Sequence, residues 1–289
     1  MDDHAAAHIC GALFRRQAGN STVLIPQPLA ASGWGTASMR GVAISAALAR
    51  AAEDSITELG RDDLLPVRWT VDLYRAAHLV PTTVHAEVTR AGRRLCLVDT
   101  TMTQGGRSVA RASALYLARG VTPEADVWAP DHHPTPPDPA IRPSTDERLY
   151  HSDGQWYTPA NLPPTGSQKS LWQWGIRCIE DEPLSAFQMM ASAADVASAV
   201  SNSGSAGLQY INADLTLSVA RLPEGDAVGL LSCDRVVGDG VAVGTATLFD
   251  RSGRLGTVSV SSLVNAHRTI DLRNFGSFQP ESPGVIRRQ

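Results

Sequence analysis

Asp195 is the only acid between Leu184 and Val200, and its neighbours in MMASAADVASAV are Met, Ala, Ser and Val. A carboxylate moved from water into apolar surroundings holds its proton more tightly, which brings its pKa toward working pH and suits it to proton transfer. The opposing reading puts it on the solvated side of a helix, where it has no task. Backbone N–H groups near a helix start offer a second chemical resource, a positive pole for a developing oxyanion. Arg90, Arg93 and Arg94 form a third. Guanidinium groups match phosphate geometry, although a place beside a hairpin turn equally suits a solvated surface, the preferred reading. Other motifs carry less. Asp131-His132-His133 lies in a Pro-rich stretch without metal-ligand geometry. Gly238-Asp239-Gly240 with Gly244 misses the dinucleotide spacing, and 202–207 does not read G-x-S-x-G. His267 follows the last strand and reads as structural.

The elements that must position these residues occur twice. From Gly41 to Thr57, Ile44, Leu48, Ala51 and Ala52 recur at helical spacing. Val67, Trp69, Val71 and Leu73 then alternate with polar residues, a strand with one apolar face. Strands over 80–89, 95–103 and 108–117 follow, with turns at Ala91-Gly92 and Gly105-Gly106. The same order returns with a helix over 184–200, a Gly/Ser loop over 201–207, and strands over 211–219, 228–237, 241–249 and 256–264. In the first of these, alternation puts Asn212 on one face with Asp214 and Thr216, opposite the face that covers the helix. Asn212 can approach Asp195 only if the strand bends. A duplicated helix-plus-antiparallel-sheet unit is an α+β architecture with a seam between like halves, a common place for a ligand. The first unit occupies 1–119 and the second 180–270. Between them, proline-dense residues 120–179 read as a crossing linker packed on the surface, its far end pinned by Trp156, Tyr157, Trp172 and Trp174, and 271–289 reads as an irregular tail.

At 289 residues with 43% hydrophobic and 19% charged content, the chain is a packed globular protein. A net charge of −4 gives no global field for nucleic acid. No run approaches the roughly 20 apolar residues of a membrane helix, and the apolar stretch in MDDHAAAHICGALFRR is too short for a secretion signal to be expected. Four dispersed cysteines fit neither a zinc site nor a disulfide framework, so reduced thiols in a cytoplasmic protein are expected.

Two stretches carry a resemblance to a known family. VRWTVDLYR, then RAGR, then QGGRSVARA match an R-x-x-V-D-L-x-R phrase, an R-x-G-R strand end and a Q-x-G-R-x-x-A-x-A phrase. In the second half NADLT and LFDRSGRLG match N-x-D-L-T and L-x-D-x-x-G-x-x-G. Together these resemble the TesB-like acyl-CoA thioesterases over roughly residues 10–119 and 180–264. The resemblance implies a double hotdog fold and hydrolysis of acyl-CoA thioesters, by direct attack of water and without cofactor or metal. It places the water-holding groups at Asp195, Asn212 and Ser261, the last standing where relatives carry glutamine and reaching two bonds less far. It also points to Gly41, second residue of Arg40-Gly41 where relatives show two glycines, and to Arg90, Arg93 and Arg94 for the coenzyme A phosphates. The first helix has no acid between Gly41 and Ala52, so one competent site per chain is expected. Two alternatives stay open: a non-catalytic acyl-CoA or acyl-ligand binder, which the serine at 261 favours, and a scaffold subunit. A homodimer through the Pro-rich arm or the tail is a further possibility.

Overall fold

The computed structural model describes residues 11–124, 126–130, 134–141 and 148–274. The first half opens with a hairpin of β1 (Ala12–Gln17) and β2 (Asn20–Pro26), followed by α1 (Gly41–Glu58). Four strands follow: β3 (Leu64–Asp72), β4 (Thr82–Ala91), β5 (Leu95–Gln104) and β6 (Arg107–Ala118). The second half begins with β7 (Arg148–Ser152) and β8 (Ser170–Trp174), then α2 (Ala186–Ala194) and α3 (Ala197–Asn202). It closes with β9 (Tyr210–Asn212), β10 (Asp214–Val219), β11 (Ala227–Gly238), β12 (Val241–Asp250) and β13 (Gly253–Val264).

One continuous sheet runs β7-β8-β11-β12-β13-β10-β3-β6-β5-β4-β2-β1, with short strands at 155–157 and 177–179 extending its two ends. Each half therefore uses the same strand order, and the halves meet where β10 pairs antiparallel with β3, Thr216 opposite Thr70 and Leu217 opposite Trp69. The hairpin turns follow from residue type. Gly105 and Gly106, like Asp239 and Gly240, take positive φ, the pair of left-handed residues that a two-residue turn of the right twist requires.

The helices lie face to face inside the sheet. Ala43, Ala46, Ala47, Ala49 and Ala52 of α1 are buried, and such small side chains let helix backbones approach closely. At the contact, Ser45 Oγ donates to the Ala191 carbonyl of α2 at 2.6 Å and accepts from Trp69 Nε1 at 2.9 Å. Trp69, from the strand that joins the halves, also meets the edge of Phe187 on α2, with ring centroids 5.5 Å apart.

Two readings need correction. The second helix is not continuous over 184–200: it stops at Ala194 and restarts at Ala197, and the Val196 N–H reaches back three residues to the Ala193 carbonyl instead of four. The stretch 120–179 is not a linker throughout, because from Arg148 it supplies β7 and β8, which pair with each other and with β11. Every residue of β8 is buried, as are four of the five in β7, so neither strand shows the one-face alternation that identifies a half-buried strand. Trp172 and Trp174 anchor β8 in a small core with Phe249. Asp131-His132-His133 lies outside the described residues. Among the described residues, no group of three His, Cys, Asp or Glu side chains is placed to hold a metal, and no helix is long and apolar enough to cross a membrane.

Truncation of Trp69 to Ala should lower stability by about 3–5 kcal/mol, the usual cost of emptying a fully buried aromatic site, read as a shift of the urea midpoint.

Candidate active site

Asp195 is the residue at which the second helix breaks. It follows the last residue of α2 and closes that helix as its C-cap, and its side chain turns toward the start of α1. The approach is very close. A Cβ at Gly41 would fall 2.1 Å from Asp195 Oδ1 and 2.4 Å from Cγ, so only glycine lets the carboxylate lie against the first turn of α1. The Val42 N–H, one of the donors that a helix start leaves without an intrahelical acceptor, donates to the carboxylate. The Ala43 and Ile44 N–H groups turn back to the Arg40 carbonyl. Gly41 thus acts first through the space it leaves for Asp195.

Asn212 Nδ2 donates to Asp195 Oδ1 at 3.0 Å, a contact that simple alternation forbids. A bulge supplies it. From Asn212 to Thr216 the chain advances four residues, while its partner strand moves only three, from Ser262 to Ser259. The extra residue is accommodated around Ala213, whose N–H donates to the Ser261 carbonyl and whose carbonyl accepts from Leu73 N–H. Asp214 Oδ1 takes the Ser261 N–H at 2.6 Å. A one-residue insertion exchanges the faces of a strand, and Asn212 joins Leu215 and Leu217 on the side of the helices.

These groups open onto a cavity of about 190 Å³ at the seam. Both halves line it: Arg40, Gly41 and Arg75 from the first, Arg148, Asp195 and Asn212 from the second. Met39, Ile44, Leu73, Leu208 and Ile211 make much of the remaining wall apolar. Asp195 keeps some surface toward the cavity while protein packs densely round it. The packing governs its charge, and the opening lets water reach it. Burial pushes its pKa above the ordinary carboxylate range, outweighing the Asn212 hydrogen bond, the positive charges of Arg40 and Arg148, and the Val42 N–H, all of which favour the anion.

Other expected site residues lie elsewhere. Ser261 is not in the cavity wall. Its neighbour Ser262 is buried and accepts from Asn202 of α3 at 3.1 Å, and successive residues of a strand point to opposite faces, so Ser261 faces away from the helices. Arg90, Arg93 and Arg94 are exposed around the β4–β5 turn. There Arg61, just beyond the end of α1, donates to the Gly92 and Arg93 carbonyls. The 18 residues of α1 put this turn about 27 Å from Gly41 at the helical rise of 1.5 Å per residue. The cations near Asp195 are instead Arg40, Arg75 and Arg148. Arg75 stood in the matched R-x-x-V-D-L-x-R phrase, whereas no spacing pattern marks Arg148. A larger cavity, about 550 Å³, opens across α3 near the 203–207 loop. Its buried Lys169 donates to the Thr165, Ser167 and Ser203 carbonyls, which makes that lysine a loop brace.

Comparison with known proteins agrees with this geometry. A family profile described as the acyl-CoA thioesterase N-terminal domain matches residues 30–117, and its C-terminal counterpart matches 123–261. A solved TesB protein from Mycobacterium avium subspecies paratuberculosis superposes with a TM-score of 0.59 at 16% identity, covering 87% of this chain and 95% of its own. The acyl-CoA thioesterase II TesB2 of Mycobacterium marinum gives 0.56 at 14%, covering 92% and 97%. A hot dog fold protein of unknown function from Alicyclobacillus acidocaldarius gives 0.57 at 16%, covering 84% and 93%. At these identities the likeness is one of fold, and the fold is the double hotdog. No curated protein matches the sequence.

Replacing Gly41 with Ala should force Asp195 from its place and cost about 1–3 kcal/mol of stability, as overpacking does, measured by urea denaturation.

Proposed function

The chain belongs to the acyl-CoA thioesterase family, and on that premise we propose that it hydrolyses acyl-CoA thioesters by direct attack of a water that Asp195 activates. The observation that carries this reading is the Asp195 carboxylate, reachable from a cavity at the seam and held by Asn212 and the Val42 N–H. Asp195 takes a proton from the water as its oxygen attacks the thioester carbonyl carbon. The tetrahedral intermediate collapses with cleavage of the carbon–sulfur bond, and the proton passes to the departing thiolate. No covalent enzyme intermediate is involved. The Gly41 N–H, at the first position of α1, points the positive end of a helix at the same region and serves the developing oxyanion. Asn212 keeps Asp195 oriented, the apolar wall receives the acyl chain, and Arg75, exposed at the cavity, is placed for the phosphates of coenzyme A.

Thiol release from short, medium and long acyl-CoAs tests the reading. Asp195→Asn should lose about a hundredfold or more in kcat, the scale on which a general base contributes. No turnover by the wild-type protein, with an acyl-CoA still raising its melting temperature, would make it a binder.

Because the base acts only when ionised, activity should fall as pH drops through the pKa of Asp195. With that pKa raised, the acid limb of kcat/KM should lie above the ordinary carboxylate range and disappear in Asp195→Asn. The triple change of Arg90, Arg93 and Arg94 to Ala should leave KM for acyl-CoA within about twofold, since exposed side chains one helix length away contribute little to binding.

A further inference from the structure

The cavity that Asp195 lines is short. Of α1 only its first turn reaches the wall, ending at Ile44. The next residue along that face, Leu48, is fully buried in the main core and takes no part in the wall. Gly41 and Ile44 stand three residues apart and share a helix face. At a rise of 1.5 Å per residue, the wall therefore runs only about 4.5 Å along α1 from the turn that holds Asp195. Met39, Ala199 and Leu208, all buried, close other sides, and the buried Arg40 and Arg148 take up a further part of the lining. The opposite end is open, where Arg75 and Ala76 are exposed.

Volume and length give the same bound. An apolar cavity of about 150 Å³ is filled by one benzene, and sites for drug-sized ligands run to roughly 300–1,000 Å³. The 190 Å³ here holds little more than the first of these. An extended chain advances about 3.3–3.6 Å for every three backbone bonds, so the wall beyond Gly41 takes up about four bonds. Ile44 makes a firm end to that run. A β-branched side chain on a helix is held in one rotamer, and the close-packed core behind it leaves no room to retreat.

We infer that the substrates are short-chain acyl-CoAs, with acyl groups of up to about six carbons, and that Ile44 is the side chain that sets this limit. The inference rests on the hydrolytic reading above and names the substrate class of the same site. Coenzyme A stays at the open end with Arg75, and the acyl group points inward along the first turn of α1 until it meets Ile44. A longer chain cannot fit ahead of Ile44 while its thioester carbonyl stays beside Asp195.

The test measures thiol release by the full-length protein from acetyl-, butyryl-, hexanoyl-, octanoyl- and decanoyl-CoA, together with the melting temperature in the presence of each. In the wild type kcat/KM should rise about fourfold per methylene up to hexanoyl-CoA, the worth of one buried CH₂. It should then fall about tenfold or more by decanoyl-CoA, as a filled pocket rejects extra methylenes. Ile44→Ala, and to a lesser degree Ile44→Val, should move the optimum toward octanoyl-CoA, because space opens at the end of the run. Leu48→Ala, as deeply buried but outside the wall, should lower the melting temperature and leave the optimum in place. A kcat/KM that has not fallen by decanoyl-CoA overturns the size limit while the hydrolytic reading stands. An optimum that both Ile44 variants leave in place, or that Leu48→Ala moves equally, overturns the role of Ile44. A wild type that turns over none of the five sinks the hydrolytic reading. The rise in melting temperature should then still peak at hexanoyl-CoA, and a rise that keeps growing to decanoyl-CoA sinks the size limit as well.

Discussion

The site depends on one close approach, that of the Asp195 carboxylate to the first turn of α1. Space for it exists because residue 41 has no side chain, and a Cβ there would overlap the carboxylate oxygen. The approach couples three things that are otherwise separate. It brings the halves together at their helices, it places an acid where a helix start presents unpaired N–H groups, and it coincides with the interruption of the second helix. Burial raises the proton affinity of Asp195, while the Val42 N–H, Asn212 and the two buried arginines temper that rise. In the hydrolysis proposed above, that balance suits the group to act as a base that can be ionised and still hold a proton.

Duplication accounts for the architecture, and the surroundings of the two helix starts have diverged. The start of α2 also meets a carboxylate from the facing helix, Glu53 of α1. There Ser185 Oγ and Gln188 Nε2 both donate to Glu53 Oε2, at 2.6 and 2.8 Å, and Ser185 caps α2 through the Gln188 N–H. Those donors make Glu53 a tie between helices. Burial raises its pKa as well, so burial by itself does not separate the two acids. The difference lies in what surrounds them, since Asp195 lines a cavity to which both halves contribute while Glu53 is held between Ser185 and Gln188.

The bulge at Ala213 is the second structural decision. It converts an outward asparagine into a partner for Asp195, while β13 runs in regular register there and its own alternation with buried Val258 and Val260 puts Ser262 rather than Ser261 on the helix side. Asp214 and the backbone of β13 hold the extra residue in place. The bulge therefore belongs to the site, as bulges beside active sites commonly do.

The pattern of residues determined the helix from Gly41 and the Gly-punctuated hairpins that follow each helix, because half-buried strands and amphipathic helices write their periods into the chain. It also singled out Asp195, an acid without company in an apolar run. Strands β7 and β8 escaped, since burial on both faces erases alternation. The break at Asp195 has no Gly or Pro to mark it, and it coincides with a contact to a residue more than 150 positions earlier. Asn212 reached Asp195 through a bulge that no local composition announces. Arg148 had no signature at all. It meets Asp195 only through packing within the second half, while Gly41 meets it only where the two halves join, and local periodicity encodes neither relation.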